Sequence, residues 1–407
     1  MTRSQIWMLL VTSALVMAVT MGARQSLGLF VSPLNTSTGL GIVGVSFALA
    51  VGQFVWGATQ PLFGALADRV GSFRVVVIGA LLLSLGLALT PFAHSQFALV
   101  LCLGVITAAG AGAGSFSILL AVAAQRVPAE KRSFTAGFIN AGGSFGQFIF
   151  APFAQAMISA VGWIGALWSL AASALLTIPL ALPLREGAAH RAAKAALTGM
   201  TLREQLRIAA GDRSYWLLHA GFFTCGFHIA FLVTHLPGEV VLCGLPASVS
   251  ATSLAIIGLS NIVGSLSVGW MGGRYRMKWL LFWLYAFRAA SIVAYLLAPK
   301  TALTFYIFAV ALGVSWLATV PPTAGLVSKL FGPRYLATLF GLALLTHQVG
   351  AFFGAWLGGL AIASTGNYDW MWKADIALAV LAALVNVPIH EERIVRGPVV
   401  ATPARAS

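Results

Sequence analysis

The chain has 407 residues, of which 59% are hydrophobic and only 8% charged. A soluble domain carries about 25% charged residues, so this composition, with a mean hydropathy of +0.92, excludes a soluble globular protein and makes lipid part of the solvent. The net charge of +14 would suit nucleic acid, but the basic residues fall in short loops between apolar runs and form no continuous face, which argues against it.

Three cysteines, Cys102, Cys225 and Cys243, show neither CxxC nor metal-ligand spacing, and an odd count speaks against a disulfide framework. No metal site and no cofactor are expected. The first apolar run, 6–30, is too long for a secretory signal and is read as a spanning helix.

A helix needs about 20 apolar residues to cross the hydrocarbon core. Runs of that length are predicted at 6–30, 40–64, 73–94, 97–124, 133–158 and 162–183. Six more follow at 214–237, 248–271, 279–298, 302–328, 335–363 and 369–390. The expected organisation is all-α: an N-terminal six-helix bundle over 1–184, a polar linker over 185–213, a C-terminal six-helix bundle over 214–390 and a tail over 391–407.

Orientation follows from the loops. The N-terminus, the loops after even-numbered runs and the C-terminus hold 20 of the 24 basic residues. The opposite side holds Lys300 and Lys373, and Arg24 and Arg288 fall inside predicted helices. The excess places both termini and the linker in the cytoplasm of a cell whose inner membrane the chain spans.

The two halves also carry related glycines. Gly64 and Gly269 are 205 positions apart, and Gly137 and Gly146 lie 204 positions before Gly341 and Gly350. Parallel repeats of six helices are the internal symmetry of one transporter class.

The segment Gly64-Ala-Leu-Ala-Asp68-Arg69-Val-Gly71-Ser-Phe-Arg74 resembles the signature loop between the second and third spans of the major facilitator superfamily. The second copy, at Gly269–Arg274, departs from it where Gly273 replaces the acid. The resemblance covers residues 5–390. It implies two pseudo-symmetric bundles that rock about a central cavity, with the first, fourth, seventh and tenth spans lining it. It also implies that Gly64, Asp68, Arg69, Gly71 and Arg74 belong to a cytoplasmic latch rather than to a substrate site. Three further stretches are similar to bacterial relatives of the monocarboxylate porters: Gly22–Phe30, Cys225–Gly238 and Thr346–Gly350. They imply an organic anion as substrate.

Charge at membrane depth is costly and usually functional. All ten acids fall in loops or within about two turns of a predicted helix end. Arg24 and Arg288 therefore have no carboxylate at matching depth. A substrate carboxylate held by the guanidinium fork is one solution. The others are snorkelling of Arg24 to the interface and a tie from Arg288 to backbone carbonyls.

His228 and His347 are candidates for binding substrate or, for His228, a coupling proton. The alternative is a hydrogen-bonded tie between helices. His228 and His235 stand two turns apart, about 10.5 Å, too far to share a metal. Asp375, the deepest acid, is a second proton candidate or an interfacial charge. Asn140, Ser144 and Gln147 share one helix face and suit hydrogen bonding to substrate. Trp316 and Thr319 precede Pro321-Pro322, which should break the tenth helix and free carbonyls.

There is no GxSxG, HExxH or phosphate loop, so neither an enzyme nor an ATP-driven pump is expected. The sequence favours a monomeric, proton-coupled carrier of a small monocarboxylate. An efflux carrier for amphipathic compounds is the alternative. A membrane sensor is disfavoured, because the linker is too short and polar for a signalling domain.

Overall fold

Backbone N–H and C=O groups in a chain this apolar have to be paired within the chain, and helices do so locally. The computed structural model describes residues 3–127, 132–185, 201–332 and 335–392. Every regular element among them is helical. The principal helices are α1 Arg3–Gln25, α2 Gly41–Val70, α3 Ser72–Leu89, α4 Phe116–Arg126 and α5 Arg132–Leu175. They continue with α6 Leu202–Ala210, α7 Arg213–Leu242, α8 Ala247–Met271 and α9 Met277–Leu297. The last are α10 Ala302–Ser315, α11 Val320–Phe331, α12 Leu336–Thr365 and α13 Asp369–Asn386.

Ten stretches among the described residues are long and apolar enough to cross a membrane. The twelve runs expected from the sequence map onto these ten for two reasons. The runs at 133–158 and 162–183 merge into one stretch of 47 residues, Phe134–Leu180. Straight, it would be about 70 Å long, more than twice the hydrocarbon core. It is not straight: Gly162 has φ 74° and ψ 170° and breaks the helix, a conformation glycine adopts without steric cost. The second reason is α13, whose three charges, Asp369, Lys373 and Asp375, set it apart from the other spans.

The linker beyond Arg185 is described only from Thr201. There Thr201 and Glu204 form a capping box at the start of α6. Hydrogen bonds from the Thr201 backbone and hydroxyl hold the Glu204 carboxyl below the usual carboxylate range. The tail is described to Glu392. The Glu391 carboxylate accepts from Lys329 Nζ at 3.0 Å and from the Met277 backbone N–H at 3.1 Å, joining the ends of α9, α11 and α13. In the signature segment, Gly71 ends α2 with φ 92° and Arg74 is exposed. The side chains of Asp68 and Arg69, assigned above to a latch, lie outside the described residues.

Packing repeats between the two ends of the chain. α1 runs along α5 and α7 along α12, while α5 also packs on α8 and α2 on α12. A Cβ added at Gly146 of α5 would run into the Ala18 carbonyl of α1, and one at Gly350 of α12 into the Phe223 carbonyl of α7. These glycines are one of the two pairs spaced by 204 residues, and each lets two backbones meet without a side chain between them. Outward faces are apolar, with Phe97, Trp283 and Leu297 among the most exposed side chains.

Gly146→Ala and Gly350→Ala should each lower thermal stability in detergent by a similar amount, about 1–3 kcal/mol for overpacking. Gly64→Ala, where a Cβ meets nothing within 4 Å, should be silent. Fluorescence-detected melting of the three variants checks this.

Candidate functional site

The break between α10 and α11 organises the interior. Pro321 and Pro322 stand in the first turn of α11, where a missing N–H costs nothing. Proline cannot donate back to residues 317 and 318, so the ladder fails just upstream. The expected break is therefore present, and its loose carbonyls are taken up by side chains. Asn140 Nδ2 donates to Leu317 O at 3.2 Å. Arg288 Nη2 donates to Ser315 O at 2.6 Å and to Trp316 O at 2.9 Å. Asn261 Oδ1 accepts from the Leu317 N–H at 2.9 Å.

Beside this break lies a cavity enclosing about 630 Å³ of empty space, its open mouth included. α1, α2, α4, α5, α7, α12 and the broken segment all contribute to its wall. Most of the lining is apolar: Met17, Met21, Trp56, Phe116, Ile229 and Leu344 among others. Its polar members are Arg24, Gln25, Gln53, Asn140, His347 and Gln348.

Arg24 is the charge of this cavity. Its guanidinium stacks over Trp56, 4.2 Å from the ring centroid. Nη2 donates to Gln53 Oε1 and, at 3.4 Å, to Gln348 Oε1. Among the described residues no carboxylate lies within 4 Å of it. Gln348 Nε2 donates to His347 Nδ1 at 2.7 Å. His347 Nε2, Trp56 Nε1 and both side-chain polar atoms of Gln25 are buried without a hydrogen-bond partner among the described residues. A second cavity also borders Arg24, Gln53 and Val233, so these three stand between two spaces.

Of the residues singled out in the sequence, Arg24, Asn140 and His347 line the first cavity. Ser144 and Gln147 do not; they join α5 to α8. Ser144 Oγ accepts from Asn261 Nδ2 at 2.6 Å, and Gln147 Nε2 donates to Leu254 O at 3.0 Å. Asn140 Nδ2 bridges to Ser265 Oγ of α8 at 2.9 Å as well.

His228, Arg288, Trp316 and Asp375 form a separate cluster behind the cavity wall, all with 0% exposure. His228 Nδ1 and Asp375 Oδ2 are 2.5 Å apart. The His228 ring stands edge-on to Trp316, with centroids 5.8 Å apart. Arg288 faces the Tyr285 ring at 5.4 Å and lies within electrostatic reach of His228. Asp375, though close to a predicted helix end, is thus a core residue and not an interfacial one.

Sequence reasoning missed Gln53, Trp56 and Asn261. A glutamine and a tryptophan in an apolar run carry no signal of their own until the facing arginine is known. Asn261 could have been noticed as a lone amide at mid-run, where an unpaired amide is costly.

A family model described as Major Facilitator Superfamily matches residues 13–355. The chain belongs to that superfamily and is a multi-pass membrane transporter rather than an enzyme. It is 27% identical over 393 residues to Monocarboxylate transporter 13 of Rattus norvegicus, covering 94% of this chain and 89% of the relative. To Monocarboxylate transporter 11 of Homo sapiens it is 24% identical over 380 residues, covering 89% and 78%. To the Uncharacterized MFS-type transporter YcxA of Bacillus subtilis (strain 168) it is 22% identical over 357 residues, covering 84% and 85%.

Asn261→Leu strips the partner from the Leu317 N–H and leaves Ser144 Oγ with only its bond to Asn140 O at 3.5 Å. It should cost about 1–3 kcal/mol for each buried group left unpaired. A lowered melting temperature in detergent checks this; an unchanged one removes Asn261 as the tie between α8 and the break.

Proposed function

We propose that this transporter carries a small organic monocarboxylate by alternating access, with a proton moving in the same direction. The observation that carries the reading is Arg24: a cation in an apolar cavity, stacked on Trp56, with no carboxylate within 4 Å among the described residues. A buried charge without a counter-ion is costly, and a visiting carboxylate relieves that cost through the planar guanidinium fork. One cation suits one carboxylate, and the apolar wall suits an apolar body. The unpartnered atoms of Gln25, Trp56 and His347 suit further polar groups on the ligand. The names of the rat and human relatives agree with this class.

The architecture we propose is twelve crossings in two six-helix bundles, over 1–184 and 214–390. The twelve arise by counting the two pieces either side of Gly162 separately and by including α13. The matched glycine contacts of Gly146 and Gly350 support the symmetry. The basic-residue asymmetry supports cytoplasmic termini in an inner membrane, and nothing in the chain calls for more than a monomer. The position of Arg24 between two cavities suits a site that faces each side in turn.

The test is uptake of labelled lactate, pyruvate and phenylpyruvate into liposomes holding the purified protein, with and without an inward proton gradient. Gradient-stimulated uptake is expected in the wild type. Arg24→Ala should abolish it, and Arg24→Lys should leave it weakened by about tenfold or more, the fork being lost. The apolar lining also favours a second reading, export of amphipathic compounds. Absence of carboxylate uptake by folded wild-type protein, with efflux of a hydrophobic dye retained in Arg24→Ala, would put that reading first.

A further inference from the structure

We infer that His228 and Asp375, with Arg288 beside them, form the proton-binding site of this carrier, one helix wall away from the anion cavity. The inference rests on the proposed anion transport and assigns the atoms that couple it to protons.

His228 and Asp375 are 147 positions apart in sequence and 2.5 Å apart in the fold. Neither is exposed. With Asp375 ionised, the Nδ1–H of His228 donates to Oδ2, and Nε2 keeps its lone pair. Among the described residues that buried Nε2 atom has no hydrogen-bond partner, and Asp375 Oδ1 has none either. Arg288 spends its Nη2 donor on the carbonyls of Ser315 and Trp316 and leaves Nε and Nη1 unpartnered. The cluster so written has one positive and one negative charge and is neutral. A proton arriving from water forms one N–H bond at His228 Nε2, breaks none in the protein, and raises the cluster to +1.

The groups facing the pair are few. α9 presents Arg288 with Tyr285 beside it, Cys225 of α7 lies next to Tyr285, and Trp316 stands edge-on to His228. His347 lies within electrostatic reach of both Arg288 and Arg24. Two guanidinium groups thus act on the same low-dielectric interior. In this proposal the unpaired charge of Arg24 opposes a further positive charge at His228, where Arg288 already acts. Once a carboxylate neutralises Arg24, that opposition falls. Anion and proton therefore bind cooperatively, and linkage makes the effect reciprocal. The mechanical link is short: Arg288 holds the Trp316 carbonyl, and the next residue, Leu317, is cavity wall.

The experiment compares wild type, Asp375→Asn and His228→Gln in liposomes with labelled pyruvate and phenylpyruvate. Two modes are read: counterflow without a pH gradient, and uptake driven by an inward gradient. Both variants should keep counterflow within about twofold of wild type while the gradient stimulation drops about tenfold, within the usual range of coupling. The apparent affinity for the anion should rise as pH falls in the wild type and stay flat in the variants. Gradient stimulation that survives in both variants overturns the assignment. So does loss of counterflow together with gradient-driven uptake in both, which marks the pair as a packing element. Absence of counterflow in the wild type would instead sink the anion reading itself.

Discussion

A membrane interior supplies no hydrogen bonds, so any interruption of a helix has to be completed by side chains of the same protein. The segment between Ser315 and Val320 is where this constraint bites. Its carbonyls reach Asn140 on α5 and Arg288 on α9, and its Leu317 N–H reaches Asn261 on α8. The two prolines that cause the break thereby set the place where three other helices must present polar groups. Leu317 of that segment lines the cavity, and Trp316, one residue earlier, packs edge-on against His228.

The two intramembrane arginines have different solutions to one problem. Arg288 is buried completely and bonds to carbonyls that no backbone donor serves. Among the described residues no carboxylate lies within 4 Å of it either; Asp375 belongs to the same cluster but bonds to His228. Arg24 meets amide oxygens and an aromatic face, which solvate a cation without neutralising it. Arg24 also lines a cavity, which Arg288 does not.

Close backbone contact gives the scaffold its form. Without a hydrophobic drive between helices in lipid, association depends on how near the backbones come. Gly146 against Ala18 and Gly350 against Phe223 are instances of this, and their shared spacing in the chain is how a packing rule became visible in the sequence. Gly162 shows the opposite case. A single glycine turned one expected loop into a bend inside a continuous stretch, which no hydropathy window distinguishes.

What the sequence by itself determined is whatever can be summed over a short window: the apolar runs, the sign of the loops, the break before Pro321, and the presence of two arginines inside apolar runs. Those are local quantities, and hydropathy, charge and proline sterics act locally. What only the tertiary structure decided is which distant residues meet. Arg24 reaches Gln348, 324 positions away, and His228 reaches Asp375, 147 positions away. Ser144 and Gln147 share a helix face with Asn140, yet that face is turned mainly to α8 rather than to the cavity. The rotation of a helix about its axis is set by what packs on every side of it, and a one-dimensional pattern holds that information for one helix at a time.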